Sequence, residues 1–177
     1  SIVTTDRAHA APALLAIAHG LPVMCEKPLA DNLKDARRMA EAVRRRKLLT
    51  AMNFSYRNNP ATQKAAKLVA AGKLGRIIHV EGSYLQSWLV GKHWGDWHTK
   101  EAFLWRLSTK HGSAGTLGDI GVHLYDLASF VVGDFAELAC VLKTFAKDVK
   151  RIGPYVFDTN DSVLTTVRFR NGALGTL

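Results

Sequence analysis

Three polar side chains in this chain, Lys27, Asp119 and His123, have the types and spacing to carry out chemistry together. Lys27 follows a short apolar strand, and in an open α/β sheet it would project into the crevice at the carboxyl ends of the strands. Pro28 restricts the lysine backbone to extended geometry, and a cis Lys27–Pro28 bond would be a further way to aim the side chain. Asp119 and His123 are four residues apart, which places them on one face of a helix. The set predicts an acid–base site that a lysine faces across a cleft.

The Asp119–His123 spacing also has a simpler interpretation, a solvated helix with a local ion pair. The other residues of this predicted helix are apolar enough to be buried, and buried polar groups need partners. A carboxylate one turn from an imidazole can fix the tautomer that a general base requires. We therefore expect Asp119 to orient His123.

Two other motifs are similar to ligand sites but lack the required spacing. Residues 112–118 are Gly-rich and precede a helix, yet they lack G-x-G-x-x-G and follow a polar loop, which favours an approach to the helix over a phosphate loop. His93, His98 and His111 show no zinc spacing, so no metal site is predicted. The tryptophans at 88, 94, 97 and 105 suggest a wall for a sugar ring or nicotinamide, with core packing or an oligomer interface as equal alternatives.

The composition indicates a soluble globular protein. The 177 residues are 47% hydrophobic and 22% charged, which suits one domain or parts of two. No apolar run approaches the roughly twenty residues of a membrane span, so no membrane partner is expected. Cys25 and Cys140 lie in apolar strand-like runs, which predicts buried thiols in a reducing compartment, and we expect a cytoplasmic location.

The net charge of +9 raises the question of nucleic-acid binding. Much of the charge lies in residues 34–38 and 44–47, on the polar side of a predicted helix, and the second run is at the helix end where cations complement the dipole. We expect a solvated helix face and no nucleic-acid partner. A phosphate-bearing cofactor would also suit the positive charge.

The elements that must position these residues alternate through the first third of the chain. We predict strands at residues 2–5, 21–25 and 48–53, separated by helices at 9–19 and, with Asn32 as its N-cap, up to residue 47. This alternation predicts an α/β fold that begins with the second half of a doubly wound, Rossmann-type parallel sheet.

The pattern changes after Tyr56. Helices are predicted at residues 60–71 and 116–132, with a long strand at 77–88 and a loop-rich stretch at 89–111 between them. Further strands are predicted at 136–145, 162–169 and 173–177, and Asn171-Gly172 predicts a hairpin. We expect a partial dinucleotide-binding domain over residues 1–56 and an α+β domain with a mainly antiparallel open sheet over residues 57–177. Both chain ends fall within strand-like patterns, so we expect a fragment.

Five motifs taken together resemble the Gfo/Idh/MocA oxidoreductases, the family of glucose-fructose oxidoreductase and inositol dehydrogenase. The motifs are Val3-Thr4-Thr5-Asp6-x-x-His9, Cys25-Glu26-Lys27-Pro28-Leu29, Asn53-Phe54-Ser55-Tyr56-Arg57, Trp105-Arg106 and Gly118-Asp119-Ile120-Gly121-Val122-His123-x-x-Asp126. They occur in the family's order and cover essentially the whole chain. The resemblance implies an N-terminally truncated Rossmann domain for NAD or NADP, followed by an α/β domain whose open sheet holds substrate and oligomer contacts.

The resemblance also implies individual roles. His123 would be the catalytic acid/base, Lys27 would lie beside nicotinamide and substrate, and Asp119 would contact substrate. The residues that would line the cofactor cleft are Thr5, His9, Glu26, Lys27 and Asn53, with Trp105 and Arg106 approaching from the second domain. Looser candidates for the substrate wall are Tyr84, Gln86 and Trp88. The Gly-rich pyrophosphate turn and the residue that selects NAD or NADP are expected before Ser1.

The leading hypothesis is reversible hydride transfer between a nicotinamide cofactor and a secondary alcohol of a sugar or cyclitol. One alternative is an NAD-dependent glycosidase that acts by transient oxidation, and another is a non-catalytic ligand-binding relative. Retention of Lys27, Asp119 and His123 argues against the non-catalytic alternative. A homo-oligomer formed through the C-terminal sheet is also expected.

Overall fold

The first part of the chain pairs two short parallel strands and covers them with two helices. A computed structural model describes residues 1–177. Helix α1 (Ala10–Ala18) precedes strand β1 (Val23–Cys25), and helix α2 (Leu33–Arg46) precedes strand β2 (Thr50–Met52). β1 and β2 are parallel, and Ile2 adds one parallel bridge to Cys25. The predicted alternation is confirmed, although the strand expected at residues 2–5 is only this bridge.

Local signals set the limits of these helices. Asn32 accepts the backbone N–H of Asp35 at 2.9 Å and thereby caps α2. Three arginines occupy the last turn of α2, and Lys47 ends the helix in the left-handed conformation with φ 52°. The apolar faces of α1 and α2 pack on β1 in a small core that includes Ile17, Cys25 and Met39.

A short junction with one 3₁₀ turn follows β2. A 3₁₀ turn (Ser55–Asn58) leads into helix α3 (Pro60–Ala70). Asn59 caps α3 by accepting the N–H of Ala61 at 2.8 Å. Pro60 occupies the first turn, where a backbone N–H would have no partner within the helix.

The second sheet has four strands in the order β3-β8-β7-β4. Its strands are β3 (His79–Glu81), β4 (Phe135–Lys143), β7 (Ser162–Phe169) and β8 (Leu174–Thr176). β7 pairs antiparallel with β4 and β8, while β3 pairs parallel with β8. Gly172, with φ 90°, makes the predicted turn between β7 and β8. The mainly antiparallel open sheet is therefore confirmed.

Helix α5 (Val122–Val132) covers the inner face of this sheet. The core between them contains Ala128 of α5 with Val167, Phe169 and Ala173, and Phe169 has no exposed surface. This packing anchors the helix that carries His123.

The region between the helices is more structured than predicted. Residues 89–111 contain helix α4 (Glu101–Leu104) and 3₁₀ turns at Trp105–Leu107 and Thr109–His111. A small ribbon of β5 (Arg151–Ile152) and β6 (Tyr155–Val156) was not expected. No helix of this protein has both the length and the apolar character needed to cross a membrane.

Two local predictions are wrong, and a predicted helix contains an irregular turn. The strand expected at residues 77–88 covers only His79–Glu81, because its partner strand β8 pairs with it over three residues. The N–H of Gly82 makes one further hydrogen bond, to the carbonyl of Thr176. The helix expected over residues 116–132 is present, but residues 117–121 within it form a π-helical turn. Cys140 is exposed rather than buried, because it lies on the edge strand β4, whereas Cys25 is buried as predicted.

Candidate functional site

Lys27 and Asp119 meet directly, although 92 positions separate them in the chain. Lys27 follows β1, and its bond to Pro28 is cis. Its Nζ donates to the Asp119 side-chain Oδ1 at 2.9 Å and to the Asp119 backbone carbonyl at 2.8 Å. An ammonium has three N–H donors, so two are directed at Asp119 and one is left for a ligand.

The π-helical turn presents Asp119 to the lysine. Single π turns inside α-helices occur frequently at functional sites. Gly118 makes the tight approach of this turn possible, because a Cβ there would lie 2.4 Å from the Ala114 side chain. The turn also follows the Gly-rich segment, where Asn160 accepts the N–H groups of Thr116 and Leu117. Those amides are used within the protein, in agreement with a helix approach rather than a phosphate loop.

Arg106 lies on the other side of the Asp119 carboxylate. Its Nε is 3.5 Å from Asp119 Oδ2, and its Nη1 donates to the Ala102 carbonyl at 2.7 Å. The guanidinium also lies over the Trp105 ring, 4.7 Å from the centroid. Asp119 is thus held between two cations, Lys27 and Arg106.

His123 is 9% exposed and surrounded by aromatic rings. The Tyr56 ring is 4.5 Å away between centroids, and the Phe54 ring is 6.1 Å away in an edge arrangement. The buried Nδ1 of His123 has no hydrogen-bond partner. Burial first, and then the nearby Lys27 ammonium, lower the pKa of His123 below its ordinary value. The imidazole is therefore neutral near pH 7, the state that a proton acceptor needs.

No hydrogen bond joins Asp119 to His123, so the expectation that Asp119 fixes the histidine tautomer is wrong. The π turn changes the helical spacing between the two residues. Lys27 and Arg106 also occupy the carboxylate oxygens. Asp119 still acts on His123 through its charge, which raises the pKa of His123 against the larger effect of burial.

A cavity of about 490 Å³ lies beside Asp119 and His123, and Lys27 is next to it through its bonds to Asp119. This volume is in the range of small-molecule sites. The lining includes Asp119, His123 and Arg106, and it contains all three residues predicted for the substrate wall: Tyr84, Gln86 and Trp88. The cavity also contacts side chains that received no sequence-based role, and these are Tyr56, Trp94 and Phe103.

The predicted cofactor residues divide into two groups. Glu26 and Asn53 lie at the carboxyl ends of β1 and β2, where Asn53 Nδ2 donates to Glu26 Oε1 at 2.5 Å, and Thr5 is exposed at the same edge. His9 is fully buried, with Nδ1 2.7 Å from the Pro28 carbonyl and Nε2 3.1 Å from the Thr4 carbonyl. Both ring nitrogens of His9 face backbone carbonyls and the side chain has no exposed surface, so His9 supports the edge of the cleft and does not line it.

Two junction residues complete the site and were not given roles by sequence reasoning. The Tyr56 hydroxyl is 2.6 Å from the Tyr84 hydroxyl. Arg57 binds Asp126 on α5 with Nε–oxygen distances of 2.8 and 3.0 Å. The signal in the sequence was their position shortly after the strand predicted at residues 48–53, within the motif Asn53-Phe54-Ser55-Tyr56-Arg57.

The three histidines of the tryptophan-rich region have separate neighbours. His98 lies between Asp96 and Asp148, at 2.7 and 2.8 Å. His93 is 3.2 Å from the Ser87 hydroxyl, and His111 is 3.0 Å from the Ser108 hydroxyl. Trp97 and Leu107 form a third small core beneath this region, while Trp94 borders the cavity. The tryptophans therefore serve both packing and the cavity wall.

Comparison with protein families decides the relationship. Residues 62–177 match the GFO/IDH/MocA C-terminal domain, and residues 1–54 match the oxidoreductase family with an NAD-binding Rossmann fold. The chain belongs to the Gfo/Idh/MocA family. The resemblance in the sequence motifs is thereby confirmed.

Individual members of the family are similar along almost the whole chain. The chain is 31% identical over 191 residues to levoglucosan dehydrogenase of Pseudarthrobacter phenanthrenivorans. The matched region covers 99% of this chain and 47% of that protein. The chain is 30% identical over 182 residues to D-glucoside 3-dehydrogenase of Escherichia coli, with 98% and 49% covered. The chain spans about half the length of the curated relatives it matches.

A solved family structure is similar to this one in three dimensions. Levoglucosan dehydrogenase in complex with NADH and levoglucosan superposes with a TM-score of 0.86 at 34% identity, covering 99% of this chain and 45% of that one. The same fold therefore extends from the parallel strands to the second sheet.

Proposed function

We propose that this protein is an NAD- or NADP-dependent dehydrogenase that oxidises a secondary alcohol of a sugar or cyclitol. The observation that supports this most strongly is that Asp119, which Lys27 holds by two hydrogen bonds, and the neutral, buried His123 line one cavity. Relatives named for levoglucosan, D-glucosides and scyllo-inositol favour a ring hydroxyl as the substrate group.

Each of the three side chains has a task that its contacts permit. His123 accepts the hydroxyl proton, since the side chain lines the cavity and its lowered pKa keeps the imidazole neutral near pH 7. The third N–H of Lys27 donates to the same oxygen and stabilises negative charge as the proton leaves. Asp119 fixes the lysine through two hydrogen bonds and presents a carboxylate to a neighbouring hydroxyl.

Aromatic rings supply the walls of the proposed sugar site. Tyr84, Gln86 and Trp88 border the cavity from one side, and the hydroxyls of Tyr56 and Tyr84 are joined at 2.6 Å. Rings of this kind bury the apolar faces of a sugar, while hydroxyl and amide groups bind its polar edges. Exclusion of water from the cavity strengthens the charge interactions of Lys27 and Asp119.

The residues at the carboxyl ends of β1 and β2 fit a dinucleotide. Ligands of open α/β sheets bind at this edge, where Thr5 is exposed and Glu26 and Asn53 form a joined polar pair. We propose that these three residues and Lys27 hold the cofactor from one side, and that Trp105 and Arg106 approach it from the other. When bound, the nicotinamide supplies the hydride acceptor.

We also propose a homo-oligomer that forms through the outer face of the second sheet. Val141 and Leu164 are opposite each other on that face and are 68% and 69% exposed. Both cysteines are free thiols, in agreement with a cytoplasmic location. The basic residues of α2 complement the end of their own helix, so we propose no nucleic-acid partner.

The proposal is tested with the natively expressed protein, a panel of sugars and cyclitols, and either NAD or NADP. We expect reduced nicotinamide to appear by absorbance, and His123→Ala to lower turnover roughly a hundredfold or more. His79→Ala is the matched control, because His79 is an exposed histidine on β3 outside the cavity.

Full turnover in His123→Ala would overturn the assignment of the proton acceptor. Release of a sugar from a glycoside without accumulation of reduced cofactor would instead identify the glycosidase alternative.

A further inference from the structure

An ion pair between the partly exposed Arg57 and the buried Asp126 joins the junction after β2 to the helix that carries His123. Arg57 Nε donates to both Asp126 oxygens, at 3.0 and 2.8 Å, and Nη2 donates to Oδ1 as well. The Asp126 side chain is only 6% exposed. A two-pronged arginine–carboxylate pair fixes orientation as well as distance, because the guanidinium is planar and rigid.

Aromatic packing holds the arginine in this geometry. The Arg57 guanidinium lies 4.8 Å from the centroid of Phe130 and 5.9 Å from that of Phe54. Its backbone carbonyl accepts the Gln63 side-chain amide at 2.6 Å. The arginine is thus held at its backbone, along its side chain and at its tip.

The pair connects two features that border the proposed proton acceptor. Asp126 is three residues after His123 on α5, about one helical turn away. Arg57 belongs to the same 3₁₀ turn as Tyr56, whose ring packs at 4.5 Å on the His123 ring. One ion pair therefore sets the position of the imidazole relative to the aromatic group that covers it.

We propose that Arg57 is a positioning residue that acts through Asp126 to hold the His123 imidazole against Tyr56 and toward the substrate hydroxyl. The proposal rests on the proposed role of His123 as proton acceptor. Arg57 does not line the cavity and its guanidinium is bound to Asp126, so its proposed role involves no contact with the substrate.

The electrostatic surroundings of His123 give this role a measurable signature. The charged groups that act on the imidazole are Lys27, Asp119, Asp126 and Glu26. Arg57 neutralises Asp126, so removing Arg57 leaves an unpaired negative charge about one turn from His123. A looser Tyr56 contact would also admit water to the imidazole, and both changes raise the pKa of His123.

The test compares Arg57→Gln, Arg57→Lys and Arg168→Gln in the natively expressed protein. Arg168 is the matched control, because it makes two hydrogen bonds to Glu137 on the exposed sheet, at 2.6 and 3.2 Å. NMR follows the pH titration of the His123 ring protons and their contacts with Tyr56, and steady-state kinetics separates kcat from KM.

We expect Arg57→Gln to raise the pKa of His123, weaken the contact with Tyr56, and lower kcat roughly ten- to a hundredfold with KM nearly unchanged. Arg57→Lys keeps the charge but not the two-pronged geometry, so it should lower kcat with a smaller shift of the titration. Arg168→Gln should change none of these quantities.

A His123 titration and a Tyr56 contact that match those of Arg168→Gln would overturn the proposal. If Arg57→Gln fails to fold, Arg57→Lys decides the question by the same readouts. Failure of the proposed function would be recognised separately, as full turnover in His123→Ala, because the NMR titration does not depend on catalysis.

Discussion

Replacing Lys27 with methionine tests the central contact of the site, since methionine keeps the length of the side chain and removes its charge. The wild-type ammonium makes two hydrogen bonds to Asp119, and the two side chains are 18% and 32% exposed. Such a pair lies between an exposed one, worth about 0–1 kcal/mol, and a buried one, whose disruption costs about 3–5 kcal/mol. Arg106 remains near Asp119 after the change. We expect a loss of about 1–2 kcal/mol, or roughly 2–8 °C in Tm for a chain of this size.

The same substitution should alter the titration of His123 in a defined direction. The Lys27 charge lowers the pKa of His123, second only to burial, so its removal raises that pKa toward the ordinary 6.5. A group with a lowered folded-state pKa contributes stability above its ordinary pKa, and this stability is lost as the pH falls through the folded-state value. Acidification below pH 6.5 should therefore destabilise Lys27→Met less than it destabilises the wild type, for the part of the pH dependence that comes from His123.

Urea denaturation across this pH range and NMR titration of His123 measure both effects. Lys147→Met is the matched control, because Lys147 pairs with Asp161 at 2.6 Å and both side chains are more buried, at 11% and 13% exposure. The control should lose at least as much stability but leave the titration of His123 unchanged. Turnover should fall by about 10²–10³ only in Lys27→Met, the loss typical of a removed charge-stabilising donor. An unchanged His123 titration in Lys27→Met, or an equal shift in Lys147→Met, would refute the reasoning.

Two further predictions concern the framework of the site. Phe169→Ala should lower the free energy of unfolding by about 3–5 kcal/mol, because Phe169 has no exposed surface and fills the core beneath α5; a urea midpoint close to that of wild type would contradict this packing. His98 is hydrogen-bonded to Asp96 and then to Asp148, which raises its pKa and lowers the pKa of Asp96 to about 2. The stability that His98 contributes is fully present below its ordinary pKa of 6.5 and is lost as the pH rises through its folded-state pKa. His98→Gln should therefore flatten the dependence of the unfolding free energy on pH above 6.5. An unchanged pH dependence in urea denaturation would argue against the interaction.

Much of the fold was predictable because its signals are local. Asn32 caps α2 through a hydrogen bond that spans three residues, and Asn171-Gly172 makes the turn between β7 and β8. The limits of strand β3 were not predictable, because a strand extends only as far as its partner and β8 contributes three residues. Exposure of Cys140 has the same origin, since an edge position is a property of strand order and not of the residue's own segment.

The sequence by itself determined the chemical inventory of the site: a lysine at a strand end, a carboxylate and an imidazole on one helix, and the family to which they belong. Only the tertiary structure decided how these groups are connected. Asp119 binds Lys27 and Arg106 instead of orienting His123, and His9 is fully buried against backbone carbonyls. The physical reason is that residue type and near-neighbour spacing fix caps, turns and helix faces, whereas burial and hydrogen-bond partners across 92 positions depend on how separate elements pack.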